Sequence, residues 1–233
     1  MGPLKEAPFR LLREDGELKA VLVAGGPEAD LASIEEFVKE SVCWIGIDRG
    51  TLYLLNRGIK PEVAFGDFDS VAESEWQQIQ QEVKHIREFP SVKNETDLEL
   101  ALQWVLKQQP EEVIILGATG GRLDHFFGTV SLLMNSFIIS SKAKIEIVDQ
   151  VNRLSVYRPG EHAILRDERY KYVSFFSLSE RVTGFSLKGF KYPLDNHTIE
   201  SGSTLYVSNE LVGESGTFSF AKGILMVIRS TDD

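Results

Sequence analysis

One cysteine, Cys43, stands in a chain of 233 residues, which excludes an internal disulfide and a cysteine-built zinc cluster. Flanked by Val42 and Trp44, it reads as a small buried apolar residue rather than a catalytic thiol. Histidine is scarce as well. The four histidines, at 85, 125, 162 and 197, include no pair four residues apart, so a histidine-rich metal centre is not expected. No apolar run approaches the ~20 residues of a bilayer span. Residues 1–19 form a charged extension without the apolar core of a secretory signal, and the cytoplasm is the expected compartment. Positive charge is in deficit too: 25 Lys and Arg face 35 Asp and Glu, a net charge of −10. Such a field repels nucleic acid and anionic lipid. It also repels a nucleoside triphosphate, so a site for one needs divalent cations and local basic side chains. No internal repeat or low-complexity tract is present.

What is present is a regular alternation. Apolar β-type runs at 20–24, 43–47, 63–65, 85–89, 112–116 and 144–148 are separated by segments with helical spacing. Ser33 with Glu36, Ser70 with Glu73, and Thr96 with Glu99 have the spacing of helix capping boxes. The helix after residue 121 is expected to bury Leu123, Phe126, Phe127, Val130, Leu133, Met134 and Phe137. The pattern predicts an α/β domain over residues 20–150, doubly wound, with a mostly parallel sheet and helices on both faces. From Asn152 onward no helical period survives. Short β-type runs at 171–178, 182–190, 204–207, 217–221 and 224–229, broken by turn residues, predict a separate all-β domain over 151–233, an antiparallel β-sandwich.

The chemistry gathers at the strand ends. In GDFDS (66–70) two aspartates flank one phenylalanine where a strand gives way to a helix, the crevice in which open α/β sheets bind ligands. Neighbouring carboxylates repel unless a cation or a donor joins them. The run therefore reads either as a magnesium site for a phosphate-bearing substrate or as a turn with one capping and one solvated aspartate. Three further carboxylates follow strands or open helices: Asp48 after the second strand, Asp97 at the start of the helix capped by Thr96, and Asp124 after the fifth strand. Lys93 and Arg122 supply positive charge nearby. Carboxylates, cations and a guanidinium along one edge are what phosphoryl transfer requires. Each member also has a plainer reading. Asp48 and Asp97 suit helix starts, Arg122 and Asp124 suit a mutual ion pair, and His125 suits a packed, hydrogen-bonded ring. Gly120 and Gly121, after Thr119, suit either a loose turn or close approach of a phosphate.

GDFDS (66–70), KNETDLELAL (93–102) and GATGGRLDH (117–125), in this order and spacing, resemble thiamin pyrophosphokinase (thiamin diphosphokinase). GFKYPL (189–194) and SNE (208–210) extend the likeness to about residues 20–230. The resemblance implies a magnesium-dependent homodimer that moves the terminal diphosphate of ATP to the hydroxyl of thiamin and releases AMP. Its N-terminal domain would handle the nucleotide and its β domain would help hold thiamin near the subunit interface. Carried over by position, Asp67, Asp69 and Asp97 would be the metal and phosphate carboxylates. Arg122 and Asp124 would join them in catalysis, with Asp48, Lys93, Thr119, Gly120, Gly121 and His125 at the nucleotide and Ser208 and Asn209 at thiamin. Two positions depart from the family pattern. Asn94 stands where an aspartate is common, and Arg49 puts a positive side chain into a run that is usually Asp-Gly-Gly-Ala, leaving open whether it meets phosphate or solvent. A metal-dependent phosphohydrolase on the same carboxylates, or a non-catalytic nucleotide or thiamin sensor, would share many of these features.

Overall fold

The computed structural model describes residues 18–38 and 42–232, so the extension expected at 1–19 lies almost wholly outside the described residues. Two compact units interleave along the chain. The first runs through Gly25 and takes in Ile34–Ile114 and Ser140–Lys144; the second comprises Gly26–Ser33, Ile115–Ile139 and Ile145 onward.

The first unit is built on four parallel strands: β1 (Lys19–Val23), β2 (Val42–Ile47), β3 (Val63–Gly66) and β4 (Ile86–Glu88), in the order β4-β3-β2-β1. Every residue of β2 and β3 is buried. That is why both read as unbroken apolar runs, since a parallel strand covered on both faces has no solvent side to mark by alternation. The helices are α1 (Glu35–Val38), α2 (Arg49–Leu55), α3 (Glu73–Glu82) and α4 (Asp97–Lys107). Successive strand residues face opposite ways, and β3 shows the two layers directly. Ala64 packs with Leu52 and Leu55 of α2 and Ile79 of α3, whereas the ring of Phe65 lies 5.6 Å from that of Trp104 on α4. Helices therefore cover both faces of the sheet.

Two helix starts fix where the motif residues stand. Thr96 caps α4, its hydroxyl accepting the Glu99 N–H at 3.1 Å. The box expected from Ser70 and Glu73 does not form. Instead α3 begins at Glu73, and the Ala72 N–H donates to Glu75 Oε2 at 2.7 Å. A left-handed turn at Phe68 (φ 55°) takes up the intervening residues, which leaves Ser70 exposed in the turn.

β5 (Glu112–Leu116) carries the chain from the first unit into the second. Beyond it lie α5 (Leu123–Leu132), α6 (Ser136–Ile139), β6 (Lys144–Val148), β7 (Asn152–Tyr157), β8 (Gly160–Leu165), β9 (Tyr172–Ser177), β10 (Arg181–Lys188), β11 (Leu194–Glu200), β12 (Ser215–Phe220) and β13 (Leu225–Ser230). In the second unit β6-β7-β13-β9 form one antiparallel ladder and β11-β10-β12-β8 another. Phe175 and Val227 of the first ladder pack against Phe185, Leu187 and Phe218 of the second, the interior of a sandwich. Each fully buried phenylalanine or leucine contributes about 1.5–3 kcal/mol of transfer free energy.

Three expectations change here. The antiparallel ladder begins before residue 150, because β6 pairs with β7 through Glu146↔Ser155 and Val148↔Arg153. The tight turn between them is closed by Asp149, whose Oδ1 accepts the N–H groups of Val151 (2.9 Å) and Asn152 (2.7 Å). The run at 204–207 forms turns rather than a strand, although Tyr206 is buried and its carbonyl accepts the Phe175 N–H at 2.9 Å. On α5 and beyond, Leu133 is buried, but Leu123, Phe127 and Met134 stand exposed.

Candidate active site

Asp48 and Asp67 leave the carboxyl ends of neighbouring strands, β2 and β3, and Asp97 opens α4. One carboxylate oxygen from each lies within 4.8 Å of the other two. The three come from distant parts of the chain and all belong to the first unit.

Asp48 is the most constrained. Its backbone is left-handed (φ 47°, ψ −125°) and it stands at the N-cap of α2 without making a side-chain cap. Its N–H donates to the Phe65 carbonyl at 2.8 Å. A Cβ placed on Gly66 would collide with Asp48 Oδ1, so glycine at 66 makes room for that carboxylate. Burial pushes the Asp48 carboxyl up to about 7, with the negative charge of Asp97 next and that of Asp67 adding less; the Phe68 N–H and Lys93 oppose the rise. A non-glycine residue held in this conformation is costly and concentrates at functional sites.

Lys93 is the cation of the group. Its ammonium donates to Asp97 Oδ2 at 3.1 Å and to the Pro90 carbonyl at 3.3 Å. It also forms an ion pair with Asp97 Oδ1 at 3.0 Å, although that oxygen accepts no hydrogen bond. Asp48 Oδ1 is likewise buried without a partner. Three carboxyl groups face one ammonium, and two of their buried oxygens accept no hydrogen bond. An all-oxygen donor set with such unused acceptors fits a hard divalent cation such as magnesium.

The structure brings only some of the expected site residues together. Asp67 and Asp97 meet, and Asp48, expected at the nucleotide, makes the third carboxylate. Asp69, expected as a ligand, is exposed and outside the trio. The reason is Phe68: its ring is buried against Trp76 at 4.7 Å, and its left-handed backbone separates the two aspartates on either side. Asp69 still bears on the trio, since its N–H donates to Asp67 Oδ1 at 3.2 Å.

Within the second unit, Arg122 and Asp124 form a bidentate pair, Nε to Oδ1 at 3.1 Å and Nη2 to Oδ2 at 2.6 Å. That hydrogen bonding holds the Asp124 carboxyl below its ordinary range. The His125 N–H donates to Asp124 Oδ1 at 3.0 Å, and the His125 carbonyl accepts from the Thr129 hydroxyl at 3.0 Å. Ahead of them, Thr119 Oγ1 is buried with no partner. Gly120 and Gly121 are both left-handed (φ 75° and 62°), and a Cβ at Gly120 would strike the Asp30 carboxylate. This loop accepts glycine and little else.

At the other motif, Ser208 is left-handed (φ 58°) and its N–H donates to Ser174 Oγ at 2.9 Å. The buried Asn209 amide bonds through both its nitrogen and its oxygen. Its Nδ2 donates to the Tyr192 carbonyl at 3.0 Å, and its Oδ1 accepts the N–H groups of Tyr192 (3.1 Å) and Glu210 (2.9 Å). Asn209 therefore pins the 192 turn. Sequence reading missed this bracing role; it placed Asp48 on the carboxylate edge but assigned it to the nucleotide rather than to the metal.

A parallel α/β layer with carboxylates converging beyond its strand ends defines a class of proteins suited to hold a cation beside a phosphate-bearing ligand. Comparison with known proteins narrows the class. The family model for the thiamin pyrophosphokinase catalytic domain matches residues 34–148, and that for its vitamin B1 binding domain matches 161–225. Thiamine pyrophosphokinase of Bacillus subtilis is 46% identical over 211 residues, 91% of this chain and 98% of that protein. The crystal structure of the Bacillus subtilis enzyme superposes with a TM-score of 0.87 at 44% identity, covering 92% of this chain and 100% of that one. The thiamin pyrophosphokinase of Geobacillus thermodenitrificans gives 0.84 at 46% identity, covering 93% and 99%. The chain belongs to the thiamin pyrophosphokinase family.

Proposed function

We propose that this chain transfers the diphosphate group of ATP to the hydroxyl of thiamin, giving thiamin diphosphate and AMP. The observation that carries the reading is the Asp48–Asp67–Asp97 trio, with two buried oxygens lacking partners, in a chain that matches both domains of the family. In the reaction the thiamin hydroxyl oxygen forms a bond to the β-phosphorus of ATP. The bond from that phosphorus to the oxygen shared with the α-phosphate breaks, AMP leaves with the electron pair, and the hydroxyl proton passes to a base.

The trio would hold Mg2+, which when bound supplies positive charge to the phosphate oxygens. Asp69, exposed on the same turn, is the next carboxylate available to a cation arriving with the nucleotide. Lys93 holds Asp97 in place. Arg122 is the guanidinium we assign to the phosphates, released from Asp124 as the nucleotide enters. Thr119, Gly120 and Gly121 would line the nucleotide, where an unpartnered hydroxyl and a side-chain-free backbone suit close approach. The family matches support a division of labour in which residues 20–150 handle ATP and 151–233 handle thiamin, Ser208 and Asn209 lying in the latter. A homodimer is part of the proposal, supported by the exposed Leu123 and Phe127 on α5. The cytoplasm, with its ATP, is the proposed compartment; no helix among the described residues is long and apolar enough to cross a membrane.

The test is direct. With ATP, Mg2+ and thiamin, AMP and thiamin diphosphate should appear in equal amounts, and neither should form when thiamin is left out. Phosphate or diphosphate released from ATP without thiamin would mean hydrolysis instead, and saturable binding with no product would mean a sensor.

A further inference from the structure

We infer that Arg49 is a positioning residue, which ties the aspartate turn to the start of α2 and thereby sets the distance between the Asp48 and Asp67 carboxylates. The inference rests on the reading of the trio as a cation site. Arg49 directly follows Asp48 and is the first residue of α2. A positive side chain there opposes the helix dipole, so its place at that position needs compensation from elsewhere. The compensation lies across the turn. Arg49 Nη2 donates to the Ser70 carbonyl at 2.7 Å, 21 positions along the chain, and Nη1 lies 3.8 Å from Glu75 Oε1. The other oxygen of Glu75 accepts the Ala72 N–H at 2.7 Å. One guanidinium thus bridges the end of the GDFDS run and Glu75 in the first turn of α3.

Other restraints on this turn act at Phe68, whose ring packs in the core and whose N–H bonds the Asp48 carboxylate. The Val71 N–H reaches the Phe68 carbonyl at 3.3 Å and the Asp69 N–H reaches Asp67 Oδ1 at 3.2 Å, both long for hydrogen bonds. Phe68 is anchored in the core, but Asp69 and Ser70 are exposed. The Arg49 bridge is therefore the short, charged bond that holds the solvent side of the turn to the helix bearing Asp48. The short bond of Arg49 goes to the Ser70 backbone carbonyl, so a move of the guanidinium onto phosphate would undo the bridge. The planar fork matters, because an ammonium makes a single point contact and reproduces such a two-acceptor bridge only in part.

The experiment titrates nucleotide-free protein with Mg2+, reading the melting temperature, in the wild type and in R49M, R49K and E75Q. Wild-type protein should be stabilised saturably. R49M should need about tenfold more metal or beyond to reach half effect, the usual scale when a group supporting a ligand is lost. R49K should recover part of that loss, and E75Q should shift the midpoint the same way by less. Without metal, each variant should melt within a few degrees of wild type. If the wild type responds while R49M and E75Q keep its midpoint, the positioning role is overturned and the cation site stands. A lower melting temperature at an unchanged midpoint would show a merely structural bridge, and a raised KM for ATP at an unchanged midpoint would show a phosphate contact; either overturns the inference. If the wild type ignores Mg2+, the cation reading fails and the inference falls with it. Should R49M not fold, E75Q decides.

Discussion

The Asp48 carboxyl supplies a prediction with a definite sign. Its carboxyl lies at about 7 in the folded chain against 3.8 ordinarily, chiefly through burial. Between those values the folded chain binds more protons than the unfolded one, so metal-free stability falls as pH rises across the interval. Relative to D48N, the wild-type melting temperature should decline by a few degrees from about pH 4 to about pH 7 and then level off. Saturating Mg2+ should remove most of that decline, whereas parallel wild-type and D48N curves would contradict the assignment. For activity, D97N should lower AMP formation by about 10²–10³-fold, on the scale of losing one preorganised electrostatic group. D69N should also lower turnover. Asp67 and Asp69 both read as ligands from sequence because they share one turn at a strand's carboxyl end and fall on the family motif, and two residues apart in extended backbone they would share a face. A left-handed backbone at Phe68 breaks that parity, and no pattern of residue types announces it.

Helix α4 shows local signals and the site agreeing. Thr96 caps it and Asp97, the next residue, joins the trio. T96A should cost about 1 kcal/mol in denaturant unfolding, as for other lost caps, and should raise the Mg2+ concentration for half-maximal activity by loosening the first turn. The strands β1, β2, β3 and β5 were legible because burial on both faces leaves continuous apolar runs, whereas β7, β8 and β11 were not. β11 has only Ile199 buried among seven residues, so neither alternation nor a run distinguishes it from a loop. Helix α5 misled in the opposite sense. Its apolar residues suggested a wholly buried face, yet Leu123 and Phe127 are 71% and 63% exposed. Periodicity records that a surface is apolar and says nothing about which molecule covers it.

At the scale of the whole molecule, that exposed face and the net charge of −10 bear on assembly and substrate. If the α5 face is covered by a second copy, light scattering should give twice the chain mass for the wild type. L123D combined with F127D should then bring it to the single-chain mass. An acidic protein should discriminate strongly against uncomplexed ATP, so its rate should follow the concentration of the magnesium–nucleotide complex rather than that of total ATP. The ladder from β6 into β7 has its own consequence. A cut at residue 150 looks natural from composition, yet it severs Glu146–Val148 from residues 153–155. A fragment starting at 151 would present a bare β7 border whose backbone donors and acceptors seek a neighbour. Expressed alone, such a truncation should precipitate or stack edge to edge, and a protease should find little purchase at the hairpin while Asp149 keeps it closed.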